Sequence, residues 1–143
     1  MLACPCAIAP DEFQLAGSWL DRSSPSQADL GAQSYWLHCL PCHGDRGQGL
    51  SDEFRLQYPP GHQNCWEAGC HGPRPYEDAF QVPTIVPAVI GSGELDAYGD
   101  AGVLGAYIRA AMPRQAPGSL DETTSWEIAA FLPREIGVGG RGC

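Results

Sequence analysis

Apolar and polar residues follow helical spacing near both ends of the chain and lose that spacing in its middle. The first predicted helix runs from about Ser26, which can cap it, to Cys42, with Gly31 and Tyr35 on one of its faces. The pattern predicts an all-α protein whose helices flank a long irregular segment.

Two further helices are expected in the second half of the chain. Asp100 can cap the first of them, and its apolar positions recur at i, i+3, i+4 and i+7: Leu104, Tyr107, Ile108 and Ala111. Pro113 should stop this helix and push Met112 out of helical geometry. The last helix is expected to start with the capping box Ser119-Leu120-Asp121-Glu122 and to end at Pro133.

The segment between residues 44 and 99 is predicted to be mostly irregular because it is rich in glycine and proline. No strand is convincing there, although Val82 to Ile90 fits an extended chain. A structureless stretch of this length is unusual in a compact domain unless it wraps around something.

The composition and charge of the chain exclude some classes of function. The chain of 143 residues suits one domain, and its net charge of −9 leaves no basic stripe for nucleic acid. No apolar run is long enough to span a membrane. The first ten residues lack the features of a full signal peptide, so the sequence is expected to begin inside or after a leader. Leu2-Ala3-Cys4 also resembles a lipoprotein cleavage site, which leaves lipidation at Cys4 as an alternative.

The clearest motif is Cys39-Leu40-Pro41-Cys42-His43. Two thiols three residues apart can form thioethers with the vinyl groups on one haem edge, and the next histidine can then reach the iron. The alternatives are a disulfide or half of a zinc site. The motif predicts covalently bound haem c.

The sequence around this motif, from Tyr35 to Leu50, resembles the opening of a class I cytochrome c, and Ala111-Met112-Pro113 resembles the closing segment of that family. The resemblance covers about residues 28–135 and is weak between 52 and 98. It implies the class I fold, His43 as proximal ligand and Met112 as distal ligand. It also implies that the first and last helices cross, with Gly31 and Tyr35 against Trp126 and Ala130.

A second motif departs from that family. Cys65 and Cys70 are separated by four residues, and His71 follows directly. Because some multihaem cytochromes use this longer spacing, the resemblance implies a dihaem variant with His71 as the second proximal ligand. A zinc site made with Cys39 and Cys42, or a Cys65–Cys70 disulfide, remains open. The distal ligand of a second haem would be His62 or His38.

These features predict a cytochrome core at 28–135, a second-haem insertion at about 52–98, an extended N-terminal arm at 1–27 and a tail at 136–143. Three cysteines remain outside the two motifs and are candidates for disulfides within or between chains: Cys4, Cys6 and Cys143.

The expected function is electron transfer without catalysis, in an exported protein that is periplasmic, on the cell surface or extracellular. Redox partners are expected to present basic patches, because the chain is acidic. The apolar arm and spare cysteines also allow homo-oligomers or a filament of haems for long-range electron transport. A small peroxidase-like dihaem enzyme and a zinc module are the alternatives.

Overall fold

A computed structural model describes residues 23–77, 79–91 and 93–139. Cys4, Cys6, Cys143 and nearly all of the predicted N-terminal arm lie outside these residues. Within the described part of the chain there are helices and turns and no strand, so the predicted all-α class is confirmed.

The described residues form five α-helices and two short 3-10 helices, the latter at Pro60–His62 and Asp96–Tyr98. The α-helices are α1 (Gln27–His38), α2 (Leu40–His43), α3 (Asp52–Arg55), α4 (Ala101–Ala111) and α5 (Glu122–Gly139). The long middle segment is irregular apart from α3 and the 3-10 turns.

The first predicted helix is divided into α1 and α2 at Cys39. Ser26 caps α1 as expected: its hydroxyl accepts from the Asp29 amide at 3.2 Å, and the Asp29 carboxylate accepts from the Ser26 amide at 2.8 Å. The single helix to Cys42 was wrong. Pro41 has no N–H to donate to the preceding turn, so a continuous helix would lack a hydrogen bond there.

The prediction for α4 is confirmed. The Asp100 carboxylate accepts from the Val103 amide at 2.9 Å, and Met112 leaves the helix with extended backbone at φ −121° and ψ 150°.

The predicted ends of α5 are wrong at both sides. Asp121 caps the helix by accepting from the Thr124 amide at 2.8 Å, whereas Ser119 lies three residues before the first helical turn. Pro133 lies inside the helix, which continues to Gly139. Its fixed φ is compatible with a helix, so it removes one hydrogen bond without ending the element.

Helices α1 and α5 cross at Gly31. A Cβ at that position would lie 1.9 Å from the Glu127 carbonyl oxygen, and the Tyr35 and Phe131 rings are 5.5 Å apart. The two helices cross as expected, but the atoms nearest to a Cβ on Gly31 belong to Glu127 and Phe131 rather than to Trp126 or Ala130. Trp126 precedes Glu127 by one residue, about 100° around the helix, and instead packs against Gly105 of α4.

The core lies between α1, α4 and α5 and extends to Ile90 in the irregular segment. Its buried apolar residues are Ala32, Tyr35, Ile90, Leu104, Ile108, Leu120, Ile128, Ala129, Phe131 and Leu132. Asp29 and Arg134 form an ion pair of 2.8 Å that joins the start of α1 to α5. No helix among the described residues has both the length and the apolar character needed to cross a bilayer.

Candidate cofactor site

The first motif forms one tight helical turn that brings its two thiols and its histidine together. The Cys42 and His43 amides both donate to the Cys39 carbonyl, at 3.1 Å and 2.8 Å. Burial, followed by the nearby Cys42, raises the pKa of Cys39 to about 12. The Cys39 thiol therefore stays protonated at neutral pH in the unmodified chain.

His43 is oriented by a backbone carbonyl from the irregular segment. Its Nδ1 lies 2.9 Å from the Pro87 oxygen, and since a carbonyl only accepts, Nδ1 must carry the proton. Burial lowers the pKa of His43, and the bond to Pro87 opposes this only in part. The imidazole is therefore neutral at pH 7, with the Nε2 lone pair free for a metal ion.

A cavity of about 420 Å³ adjoins this turn, within the range of sites for small molecules and cofactors. It brings together the four residues predicted for the first haem, because Cys39, Cys42, His43 and Met112 all line it. Much of the remaining wall is apolar, including Ile85, Val86, Val89, Leu95, Leu104, Ile108, Ile128 and Leu132. Two thiols, a neutral imidazole and a thioether around an apolar cavity fit a haem.

Tyr35 supports the helical turn of the first motif through a hydrogen bond. Its hydroxyl donates to the Gly44 carbonyl at 2.8 Å, and the side chain is 1% exposed. Burial, followed by the nearby Cys39 and Asp45, raises the pKa of the phenol. The sequence had assigned Tyr35 only to a helix crossing, and nothing in its spacing indicated the bond to Gly44.

The second motif has the same hydrogen bond from its histidine to its first cysteine, but across a longer loop. The His71 amide donates to the carbonyl of the first cysteine of its motif, Cys65, at 3.0 Å, as the His43 amide does to Cys39. The extra residues bulge outward: Ala68 and Gly69 are exposed, and Gly69 has a φ of 83°, which favours glycine. The longer spacing therefore keeps the closing bond of the shorter motif.

His71 is also held like His43. Its Nδ1 lies 3.0 Å from the Phe80 carbonyl oxygen, so Nδ1 carries the proton and Nε2 is again left with its lone pair. The rings of Phe80 and Tyr76 flank the imidazole at 5.1 Å and 5.5 Å. Cys65, Cys70 and His71 are all half-buried. The donor set fits a second haem with part of its surface in water.

The two motifs lie close together. Burial raises the pKa of Cys42, and Cys65 is near enough to add to that effect. The pKa of Tyr58 is raised by burial and by both Cys65 and Cys42, so this ring lies near both motifs. Phe80 lines the first cavity while its carbonyl holds His71 of the second motif.

The two candidate distal ligands of the second haem lie in different places. His38, the last residue of α1, is exposed and lines the first cavity. His62 is exposed at the end of the 3-10 helix that precedes the second motif. The structure thus places His62 on the same segment as the second motif and His38 beside the first.

The thiols of both motifs, at Cys39, Cys42, Cys65 and Cys70, are free in this structure. Across the described ranges, no three histidine, cysteine or acidic side chains are grouped so as to hold a metal ion. Comparison of the chain with protein-family models, curated proteins and solved structures finds no match.

Proposed function

We propose that this chain is a class I c-type cytochrome with two covalently bound haems and that it carries single electrons between partner proteins. The observation that carries the proposal is the repeated geometry of the two motifs. In each, the histidine amide closes onto the first cysteine, and the histidine Nδ1 is held by a carbonyl of the irregular segment.

When bound, each haem would supply an iron for one-electron chemistry. Cys39 and Cys42 would hold one of the two groups through thioether bonds, and Cys65 and Cys70 would hold the other. The carbonyls of Pro87 and Phe80 fix the tautomers of the proximal ligands, His43 and His71, and raise their basicity as metal ligands.

Met112 sets the first site apart from the second. It leaves α4 with extended backbone and lines the cavity that His43 also lines, which suits a distal thioether ligand. A thioether raises the reduction potential relative to a second imidazole. With His38 or His62 as the distal ligand of the second haem, the first haem is expected to have the higher potential of the two.

The surface favours a basic partner. The chain carries a net charge of −9, and Ile85, 81% exposed, lies at the cavity that would hold the first haem. An acidic chain with an exposed apolar residue at this cavity suits brief docking with a positively charged redox protein. Covalent haem attachment, together with abundant cysteine, would favour an exported compartment.

The test is production of the chain in a host that attaches haem c, followed by intact mass and acid-acetone extraction. We expect two haems that stay with the polypeptide. A Cys65→Ala/Cys70→Ala variant should keep one, whereas the matched control Cys4→Ala/Cys6→Ala should keep both. A colourless wild type, or one that carries zinc, would overturn the proposal.

A further inference from the structure

The carbonyls that hold the two histidines belong to one short segment, Phe80 to Pro87, which we call the strap. His71 is bonded to its first residue and His43 to its last. Between these ends the Trp66 indole N–H donates to the Pro83 carbonyl at 2.9 Å. Trp66 belongs to the second motif, between Cys65 and Cys70, and yet it holds the segment that orients the histidine of the first.

The strap has no regular secondary structure, so individual hydrogen bonds fix its path. At the His43 end, the Leu50 amide donates to the Val86 carbonyl at 3.2 Å and the Val89 amide to Gly47 at 2.8 Å. At the His71 end, the Val82 amide donates to the His71 carbonyl at 2.9 Å. The bond from Trp66 is made between these two anchored ends.

Trp66 is itself well placed to act as an anchor. The Arg55 guanidinium lies 4.9 Å from the centre of its ring and also donates to the Gln63 carbonyl at 2.7 Å. A Cβ on Gly72 would lie 1.9 Å from the Trp66 carbonyl oxygen, so the backbone of Trp66 packs closely against the residue that follows His71. The ring of Trp66 is therefore held by a cation, and its backbone is held by its own motif.

We propose that Trp66 is a positioning residue for both proximal ligands, because its indole sets the path of the strap that carries their carbonyl partners. This inference rests on the proposed function for the role of His43 and His71. It predicts that a change at the second motif alters the ligand of the first.

The test is Trp66→Phe in the dihaem protein, which removes the indole donor but keeps an aromatic ring under Arg55. The readouts are amide hydrogen exchange in the reduced protein and the two reduction potentials. We expect exchange at Leu50, Val82 and Val89 to accelerate by about fivefold, the size that corresponds to one net hydrogen bond. Both potentials should shift. Trp36→Phe, on an exposed ring of α1, is the matched control and should change none of these.

Three outcomes contradict the inference. Acceleration confined to Val82 would limit Trp66 to its own motif, and unchanged exchange would remove its positioning role. A third measurement needs no variant: in the wild type, if the Trp66 indole proton exchanges much faster than the amides of Leu50 and Val82, Trp66 has no positioning role. A wild type without two covalent haems overturns the proposed function as well, whereas a dihaem wild type with an unaffected variant overturns this inference alone.

Discussion

The crossing of α1 and α5 at Gly31 gives a quantitative test of the fold. In Gly31→Ala, the added Cβ would lie 1.9 Å from the Glu127 carbonyl oxygen and 2.9 Å from the Phe131 Cβ. Ordinary contact begins near 3.4 Å, so the two helices would have to move apart by about 1.5 Å. The atom in the way is backbone and cannot rotate aside.

Two opposing effects set the size of the change. Overpacking of this kind costs about 3 kcal/mol at the upper end of its usual range, whereas alanine is favoured over glycine in a helix by about 1 kcal/mol. The net loss of about 2 kcal/mol corresponds to a fall in Tm of about 4–8 °C for a chain of this size. The haem absorption at the first site should change as well, because Cys39 directly follows α1.

Gly105→Ala is the matched control. It is also a helical glycine and gains the same propensity, but its Cβ would meet the Trp126 ring at 3.0 Å, and this partly exposed side chain can adjust. Thermal unfolding of both holoproteins, followed by far-UV circular dichroism, compares them. The reasoning is refuted if Gly31→Ala is as stable as Gly105→Ala.

Three further predictions address the sites themselves. Burial raises the pKa of Tyr35, so above the ordinary phenol pKa the unfolded chain loses this proton while the folded protein keeps it, and stability should fall as pH rises past about 10. Tyr35→Phe should flatten this fall in urea titrations at pH 9–11. At pH 7 the same variant should lose about 1 kcal/mol of stability, because the bond to Gly44 is gone. Met112→His should lower the potential of the first haem while leaving the second nearly unchanged, as measured by potentiometric titration. Deletion of Ala68 and Gly69, which converts the second motif to the spacing of the first, should retain two haems by intact mass; loss of one would show that these residues do more than bulge outward.

The sequence predicted best where local chemistry decides the structure. Asp100 and Ser26 were assigned as caps and act as caps, and Pro113 displaces Met112 from α4 as expected. It failed where two signals compete. Ser119 and Asp121 are both residue types that cap helices, and the local sequence does not decide between them; in the structure Asp121 accepts from the Thr124 amide.

The motif residues were visible in the sequence, but the residues that support them were not. The partners of His43 and His71 are the carbonyls of Pro87 and Phe80, which every residue possesses, so no side-chain pattern could mark them. Trp66 carried a signal in principle, since an indole N–H that is removed from water needs an acceptor, and Trp66 is half-buried. Its partner, 17 residues away, could not be identified without the fold.

The contacts also indicate that the two ends of the strap differ in stability, because only one of them is attached directly to the core. Ile90 belongs to the helical core, and the adjoining residues Val86 and Val89 bond to Leu50 and Gly47, so the His43 end of the strap is attached directly to the core. The His71 end of the strap is attached instead through Trp66, which donates to Pro83 and contacts Arg55 of α3, and these residues lie outside that core. A segment with fewer buried contacts opens at a lower free energy than the core does. Mild denaturant should therefore release His71 from the Phe80 carbonyl before it releases His43 from the Pro87 carbonyl. The potential of the first haem should shift as Trp66 loosens, but His43 should stay bonded to Pro87.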